Sequence, residues 1–308
     1  MSTYLVTGGA GFIGSHLCDA LLAGGDSVRV LDDLSTGSLS NLDPRVTFIE
    51  GDVADTATLA RALHGADGCF HLAAIASVEK GMTDWLGTHR TNITGTIAVF
   101  DAIRATGQQI PVVYASSAAV YGDCQTVPIT EDADRKPLSA YGADKYSCEL
   151  HARVASHVFG IPTVGMRFFN VYGPRQDPRS PYSGVISIFC ERIVRGTGIR
   201  IFGDGGQTRD FVYVADVVAA LRAAMQLRPN DAPVFNVCTG IPTSVADLAH
   251  IIATLAGKNL NAENHPPRAG EIRHSLGDPS HLRAVLGTKD PVPLRDGLAT
   301  VLAWLSNG

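Results

Sequence analysis

Tyr141 and Lys145 stand four residues apart in "SAYGADKYSCEL", and Ser117 lies in "YASSAAVYG". On a helix that spacing puts the phenol and the amine on one face. A tyrosine hydroxyl titrates near pH ~10, too high for a base at neutral pH. A neighbouring cation favours the phenolate and lowers that value. Ser117 could hold a substrate hydroxyl in line with such a base. A Tyr/Lys pair at this spacing also arises by chance on a packed helix, so its weight depends on what lies beside it. Ala118 and Ala119 follow Ser117, and a methyl group neither donates nor accepts a proton.

What lies beside it is "VTGGAGFIG", with Gly8, Gly11 and Gly14 directly after the first apolar run. Such a turn lets backbone N–H groups approach a pyrophosphate at a helix N-terminus, here around Phe12 and Ile13. Alone it could be a tight strand-to-helix turn with no ligand. About 20 residues on, "VLDDLSTG" ends a second strand where a carboxylate accepts from a ribose 2′-hydroxyl. Asp32 is the expected ribose partner, with Asp33 beside it. Two acids there repel a 2′-phosphate, which favours NAD over NADP. In "EGDV", Asp52 with Val53 could read an adenine amino group, and a turn or cap carboxylate is the equal alternative. Leu72, Ala73 and Ala74, at the end of a fourth strand, complete the expected cofactor contacts. A bound nicotinamide would add a second cation favouring the Tyr141 phenolate, and Lys145 could bind its ribose.

The elements that must position these groups alternate. Residues 4–7, 28–31, 46–49, 69–72, 112–115 and 163–167 read as strands buried on both faces, and 15–23, 57–63, 92–105 and 140–158 as helices. This alternation predicts an α/β fold, a doubly wound parallel Rossmann sheet with ligands beyond the carboxyl ends of its strands. After about residue 170 the rhythm changes to turn-rich stretches such as "FGDGGQTRD" and "NHPPRAGEIRHS". They suggest a smaller, interleaved C-terminal substrate-binding lobe folded over the strand ends. The expected division is 1–169, with 210–238 returning to it, as the NAD-binding domain, and 170–209 with 239–308 as the second lobe.

The motifs "TGGAGFIG", "SSAAVYG", "YGADK", "RFFNVYGPRQ" and "GDGGQTRDFVYVADV" resemble the extended short-chain dehydrogenase/reductase family, specifically its nucleotide-sugar epimerases and dehydratases. They run over essentially the whole chain in the family's order. The resemblance implies Ser117, Tyr141 and Lys145 as the catalytic triad, and Gly8, Gly11, Gly14, Asp32 and Asp52 as NAD contacts. Asn92 in "TNITGT" matches an asparagine near the family's active site, with a helix N-cap as the alternative. Asn170, Arg209 and Arg268 would meet a pyrophosphate, Phe202 would stack on uracil, and Glu271 would bind the uridine ribose. The alternatives are a solvated surface arginine and a core phenylalanine. Lys80 could reach the sugar or phosphate.

Family members share hydride removal from C4 of a nucleotide sugar. Those that go on to eliminate water carry an acid just after the catalytic serine or threonine, where this chain has Ala118 and Ala119. The resemblance thus implies 4-epimerisation of a UDP-hexose, with NAD kept bound. Ser275 falls where the family gates its sugar pocket, and a small residue there implies room for N-acetyl sugars. The rivals are 4-epimerisation of UDP-glucuronate, with Arg175 and Arg179 available for a carboxylate, a ketoreductase that releases NADH, and a non-catalytic NAD-binding protein. The resemblance also implies a homodimer through a four-helix bundle built from 92–105 and 140–158.

With 308 residues, 45% of them hydrophobic, and a net charge of −5 without a basic run, the chain has ample core and no surface suited to nucleic acid. Its six cysteines are scattered, without a CxxC pair or clustered histidines, which argues against disulfides and metal. No apolar run approaches membrane-spanning length, and no charged and apolar leader precedes the first strand. The expectation is a cytoplasmic protein.

Overall fold

The structure, a computed structural model, describes residues 1–178, 184–267, 270 and 272–307. In chain order its strands are β1 (Thr3–Thr7), β2 (Ser27–Asp32), β3 (Thr47–Glu50), β4 (Gly68–His71), β5 (Val112–Ser117), β6 (Thr163–Phe168) and β7 (Asn170–Tyr172). They continue as β8 (Ile199–Phe202), β9 (Thr208–Tyr213), β10 (Val234–Val237), β11 (Pro242–Ser244), β12 (Ala262–His265) and β13 (His274–Ser275).

Seven strands form one sheet in the order β10-β6-β5-β4-β1-β2-β3. The pairs from β6 through to β3 are parallel. Chain winding runs outward in both directions from the β1–β4 pair, so the carboxyl ends of these two strands flank the switch point where such sheets bind ligands. The residues explain the arrangement: β4 and β6 are buried along their whole lengths, as strands covered on both faces must be.

The helices of this part are α1 (Phe12–Ala23), α2 (Thr56–Leu63), α3 (Val78–Thr83), α4 (Trp85–His89), α5 (Gly95–Thr106) and α6 (Ala140–Phe159). Asp55 caps α2 through the amides of Ala57 and Thr58, and Ser139 caps α6 through that of Gly142. Helix α1 begins three residues before the expected Ser15. Its N-cap is Gly11, which has no side chain to announce it. The helix expected over 92–105 also differs. A π-helical turn, Arg90–Thr94, follows α4 and runs directly into α5. Asn92 lies inside that wide turn, so the helix N-cap alternative is incorrect.

Two compact units emerge. The first comprises Met1–Gly122, Arg135–Phe168 and Val218–Phe235. Its core packs Leu5, Leu31, Phe100, Val112, Tyr114 and Ala152 together. The second comprises Asp123–Asp134, Phe169–Val217 and Asn236–Gly308. It holds a small sheet ordered β11-β9-β13, with β7 also on β9, and a separate β8–β12 pair. Its remaining elements are α7 (Val185–Val194), the first part of α8 (Val214–Ala224), α9 (Val245–Leu255), α10 (Ser280–Leu286) and α11 (Leu294–Asn307). Its own core includes Ile186, Phe189, Ile199, Leu248, Ile252 and Leu298. The segment 123–134 is held there by backbone and side-chain bonds. Ile129 N donates to Leu276 O (2.8 Å), and Asn236 N donates to Glu131 Oε1 (2.8 Å).

Among the described residues no helix is long and apolar enough to cross a membrane, and no cluster of three or more His, Cys, Asp or Glu could hold a metal ion. All six cysteines are free thiols.

Candidate active site

The glycine turn is built by close packing at the end of β1. Gly8 sits at φ +69°, and a Cβ there would lie 2.7 Å from Ala73 N, so both conformation and space demand glycine. A Cβ on Gly14 would run into the turn itself, 2.7 Å from Gly9 Cα. On Gly11 it would meet only Gly8 O, at 3.2 Å, and no side chain caps α1. The first-turn amides, around Phe12, Ile13 and Gly14, have no intrahelical partners. This is a cradle suited to a pyrophosphate. Leu72, Ala73 and Ala74 follow β4, and Leu72 N and Ala73 N donate to Thr7 O and Thr7 Oγ1 (3.1 and 3.2 Å).

Asp32 ends β2 and is only 7% exposed. Its Oδ2 accepts from Ala10 N and its Oδ1 from Leu34 N, both at 2.9 Å. Burial pushes this carboxyl up, amide bonds from Leu34 and Ala10 pull it back, and the Asp33 charge raises it again. Asp33 is exposed and holds Ser35 through its amide (2.9 Å) and hydroxyl (2.6 Å). One fixed carboxylate with a second beside it fits a ribose diol and disfavours a 2′-phosphate, as the sequence predicts for NAD. Asp52 is engaged on both oxygens, by Ala54 N (2.8 Å) and by Arg90 (2.9 Å). That is the turn carboxylate of the alternative reading, with an ion pair added. Val53, beside it, is buried and would sit 2.6 Å from a Cβ on Gly95.

Ser117 is the last residue of β5. Its Oγ accepts from Ala119 N (3.2 Å), starting the single 3-10 turn Ala118–Tyr121. With a lone pair on the turn, its own proton is free to point outward. Helix α6 packs directly on this turn, since a Cβ on Gly142 would come within 2.6 Å of Ala119 O. Lys145 is buried and donates to Ala115 O on β5 (2.9 Å), and its Nζ lies 5.9 Å from the Tyr141 ring centroid. Serine strand end, tyrosine and lysine are therefore assembled by one helix seated on one strand.

Beneath them lies machinery that the sequence reading did not single out. Glu149 continues the Tyr141–Lys145 face by four more residues. It accepts from Ser116 Oγ (2.6 Å) and forms a two-pronged pair with Arg167 of β6 (2.8 and 2.7 Å). Arg167 also donates to Tyr121 Oη in the 3-10 turn (2.7 Å). Asn92 binds the backbone of Ile75 through Oδ1 (from N, 2.9 Å) and Nδ2 (to O, 3.3 Å), and donates to Asp144 Oδ2 (3.3 Å). The i, i+8 spacing from Tyr141 to Glu149 was the available signal. Lys80 is elsewhere engaged, with Nζ 3.4 Å from Asp84.

In the second unit Asn170 and Arg209 stand on paired strands, and Asn170 Nδ2 donates to Asp210 O (3.3 Å). Asp210 is fully buried. It accepts from Thr239 N (2.8 Å), Thr239 Oγ1 (2.7 Å) and Gly240 N (2.9 Å), which fixes the strand carrying Arg209. Ser275 is the register partner of Arg209. Phe202 is half-buried, and its ring lies 5.6 Å from that of His265. Arg268 and Glu271, and Arg179, lie outside the described residues.

Residues 4–238 match the family described as the NAD dependent epimerase/dehydratase family. The chain belongs to this family. As a member, it is 38% identical over 98% of its length to a UDP-glucose 4-epimerase of Mycolicibacterium smegmatis, of which it covers 98%. It superposes on the UDP-glucose 4-epimerase of Thermotoga maritima, solved with UDP-glucose, with TM-score 0.94, 36% identity and 99% coverage of each chain. A UDP-N-acetylglucosamine 4-epimerase from Methanobrevibacter ruminantium, in complex with UDP-N-acetylmuramic acid, matches equally in fold (TM-score 0.94, 35% identity, 99% and 98% coverage). The epimerase/dehydratase family uses NAD, and the glycine cradle and Asp32 are what that cofactor requires.

Proposed function

We propose that the protein is a UDP-hexose 4-epimerase, interconverting UDP-glucose with UDP-galactose and UDP-N-acetylglucosamine with UDP-N-acetylgalactosamine. The observation that carries this choice within the family is the 3-10 turn after Ser117. Ala118 and Ala119 form it, so the place where family dehydratases hold an acid carries methyl groups. Without a general acid there, water is not expelled from the sugar. NAD, when bound, supplies the hydride acceptor at C4. Tyr141 takes the proton of the 4-hydroxyl and later returns it to the ketone oxygen. Lys145 favours the phenolate, and Ser117 donates to the C4 oxygen. The 4-keto sugar must turn between these steps, so affinity belongs to the nucleotide rather than the hexose.

Asn170, Arg209 and Arg268 take the pyrophosphate, where charge-assisted guanidinium bonds suit it. Phe202 takes the uracil, Glu271 the ribose, and Ser275 leaves room for an N-acetyl group. Asn92, whose amide is held by Ile75 and Asp144, serves the cofactor by positioning, and Asp52, which keeps an acceptor site on each oxygen, takes the adenine amino group. Lys80 reaches substrate only by leaving Asp84.

A second reading, UDP-glucuronate 4-epimerisation, is favoured by one observation. Arg175 adopts φ +66°, a left-handed conformation uncommon for a non-glycine residue, and its guanidinium could meet a carboxylate. The protein acts as a cytoplasmic homodimer joined by α5 and α6. Leu150, Val154 and Val158 form an exposed stripe on α6 at 50%, 49% and 61% exposure, with Ile97 exposed on α5.

The test is incubation of purified protein, without added NAD, with UDP-glucose, UDP-N-acetylglucosamine and UDP-glucuronate, and identification of products by NMR. Conversion of the first two to their 4-epimers supports the proposal. Turnover of UDP-glucuronate alone would favour the second reading and overturn the first.

A further inference from the structure

A chain of buried polar groups crosses the first unit behind the glycine turn. Ala73 N donates to Thr7 Oγ1 (3.2 Å), Thr7 Oγ1 meets His71 Nδ1 (2.8 Å), and His71 Nε2 meets Thr96 Oγ1 (3.0 Å). Thr96 Oγ1 donates to Asn92 O at 2.6 Å. Thr7, His71, Thr96 and Asn92 are at most 4% exposed. Buried polar chains in a core otherwise built from Leu, Val and Ile are costly unless every member is satisfied, so their arrangement is informative.

The proton positions follow by elimination. Asn92 O can only accept, so the short contact requires the Thr96 hydroxyl proton. Thr96 Oγ1 then receives a hydrogen bond from His71 Nε2, which must carry a proton. Burial, reinforced by the Lys145 charge, lowers the His71 pKa to about 3, so the ring is neutral and its Nδ1 is bare. Nδ1 accepts from Thr7 Oγ1, whose remaining lone pair takes Ala73 N–H. Every bond in the chain points the same way, from the cofactor loop towards the π-helical turn. Cys148 of α6 joins the far end, with Sγ 3.2 Å from Thr96 Oγ1 and 3.3 Å from Asn92 O.

The two ends matter for function. Ala73 packs on Gly8 of the glycine turn. Asn92 holds Ile75 by both backbone groups and holds Asp144, the neighbour of Lys145. The loop 72–75 is thus clamped at Ala73 through His71 and at Ile75 through Asn92.

We propose that His71 is a positioning residue for the reaction, fixing loop 72–75 against the glycine turn as a neutral imidazole protonated on Nε2 and tying it to the turn under α6. Its bearing on turnover rests on the epimerase reading, whereas its bearing on NAD and on the ring tautomer does not. The ring makes different bonds on its two sides, so two substitutions separate them. His71→Asn keeps an acceptor near Nδ1 for Thr7, and His71→Gln keeps a donor near Nε2 for Thr96.

The experiment has two arms, neither using a sugar substrate. In 15N-histidine-labelled protein, with the signal assigned by its loss in His71→Asn, two-bond 1H–15N spectra report the tautomer. The Nε2–H form is expected, and the Nδ1–H form would overturn the proposal. In the second arm the NAD dissociation constants of both folded variants are measured. His71→Gln is expected to bind NAD on the order of ten-fold more weakly than His71→Asn, the effect of one buried hydrogen bond. Equal binding, or the reverse order, would overturn it. If both arms succeed and no UDP-sugar is epimerised, the function reading fails and the positioning role stands.

Discussion

In the proposed mechanism the hydroxyl of Tyr141 is the atom on which the chemistry turns. Tyr141→Phe removes the proton acceptor and leaves the ring packed, so kcat should fall by about 10²–10⁴ while NAD remains bound, as read by turnover and by cofactor content after purification. His71 gives a pH signature of known sign. Its folded-state pKa is lowered to about 3 from 6.5, so the unfolded chain takes up the proton first as pH falls. The stability it confers is complete above about pH 6.5 and is lost progressively towards pH 3, reaching about 2 kcal/mol at pH 5. Denaturant midpoints at pH 7 and pH 5 should therefore separate more in the native protein than in His71→Asn. Tyr141, Lys145 and Ser117 could be picked out as candidates from their spacing and order, and the fold places them on α6 and at the end of β5. His71, Glu149 and Arg167 could not be picked out, because what makes them matter is a buried partner distant in sequence. Asp52 suits both of its readings, since it accepts from Ala54 N and pairs with Arg90 while each oxygen keeps a further acceptor site.

Four elements meet at the turn after Ser117, and one ion pair binds them together. Glu149 on α6 and Arg167 on β6 join Ser116 on β5 and Tyr121 in the turn. Removing one charge leaves the other buried and alone, which costs about 3–5 kcal/mol. Glu149→Gln should show a loss of that order in chemical denaturation, with Arg167→Lys also losing because a point charge cannot reproduce the fork. A midpoint unchanged in both variants would show that the pair carries no such weight. The strands β1 to β6 were readable from their apolar runs and α6 from its length, whereas β10, the seventh strand of the sheet, lies in a stretch where that rhythm had already changed. The π-helical turn at 90–94 was not readable. Its residues have ordinary helix patterning, and the side-chain bonds from Thr96 and Cys148 to Asn92 O inside it follow from packing rather than from spacing. The start of α1 was hidden for a related reason, since a glycine cap gives no side-chain signal.

At the scale of the molecule, alternation of strands and helices was enough to foresee the wound sheet. The membership of 123–134 in the second unit was not foreseeable, because it rests on bonds to Leu276 and Asn236 more than a hundred residues away. The exposed stripe on α6 tests the assembly. Val154→Glu should turn the proposed dimer into a monomer in light scattering, and a wild-type monomer, or a dimer that persists unchanged in the variant, would rule out this interface. In the proposed cycle one enzyme removes a hydride from C4 and restores it to the opposite face of the same sugar. UDP-[4-2H]glucose, given to the protein without added NAD, measures this directly. The expected product is UDP-galactose with deuterium retained at C4 and no lasting NADH absorbance. Loss of deuterium to solvent, release of NADH, or a dehydrated sugar would contradict that cycle.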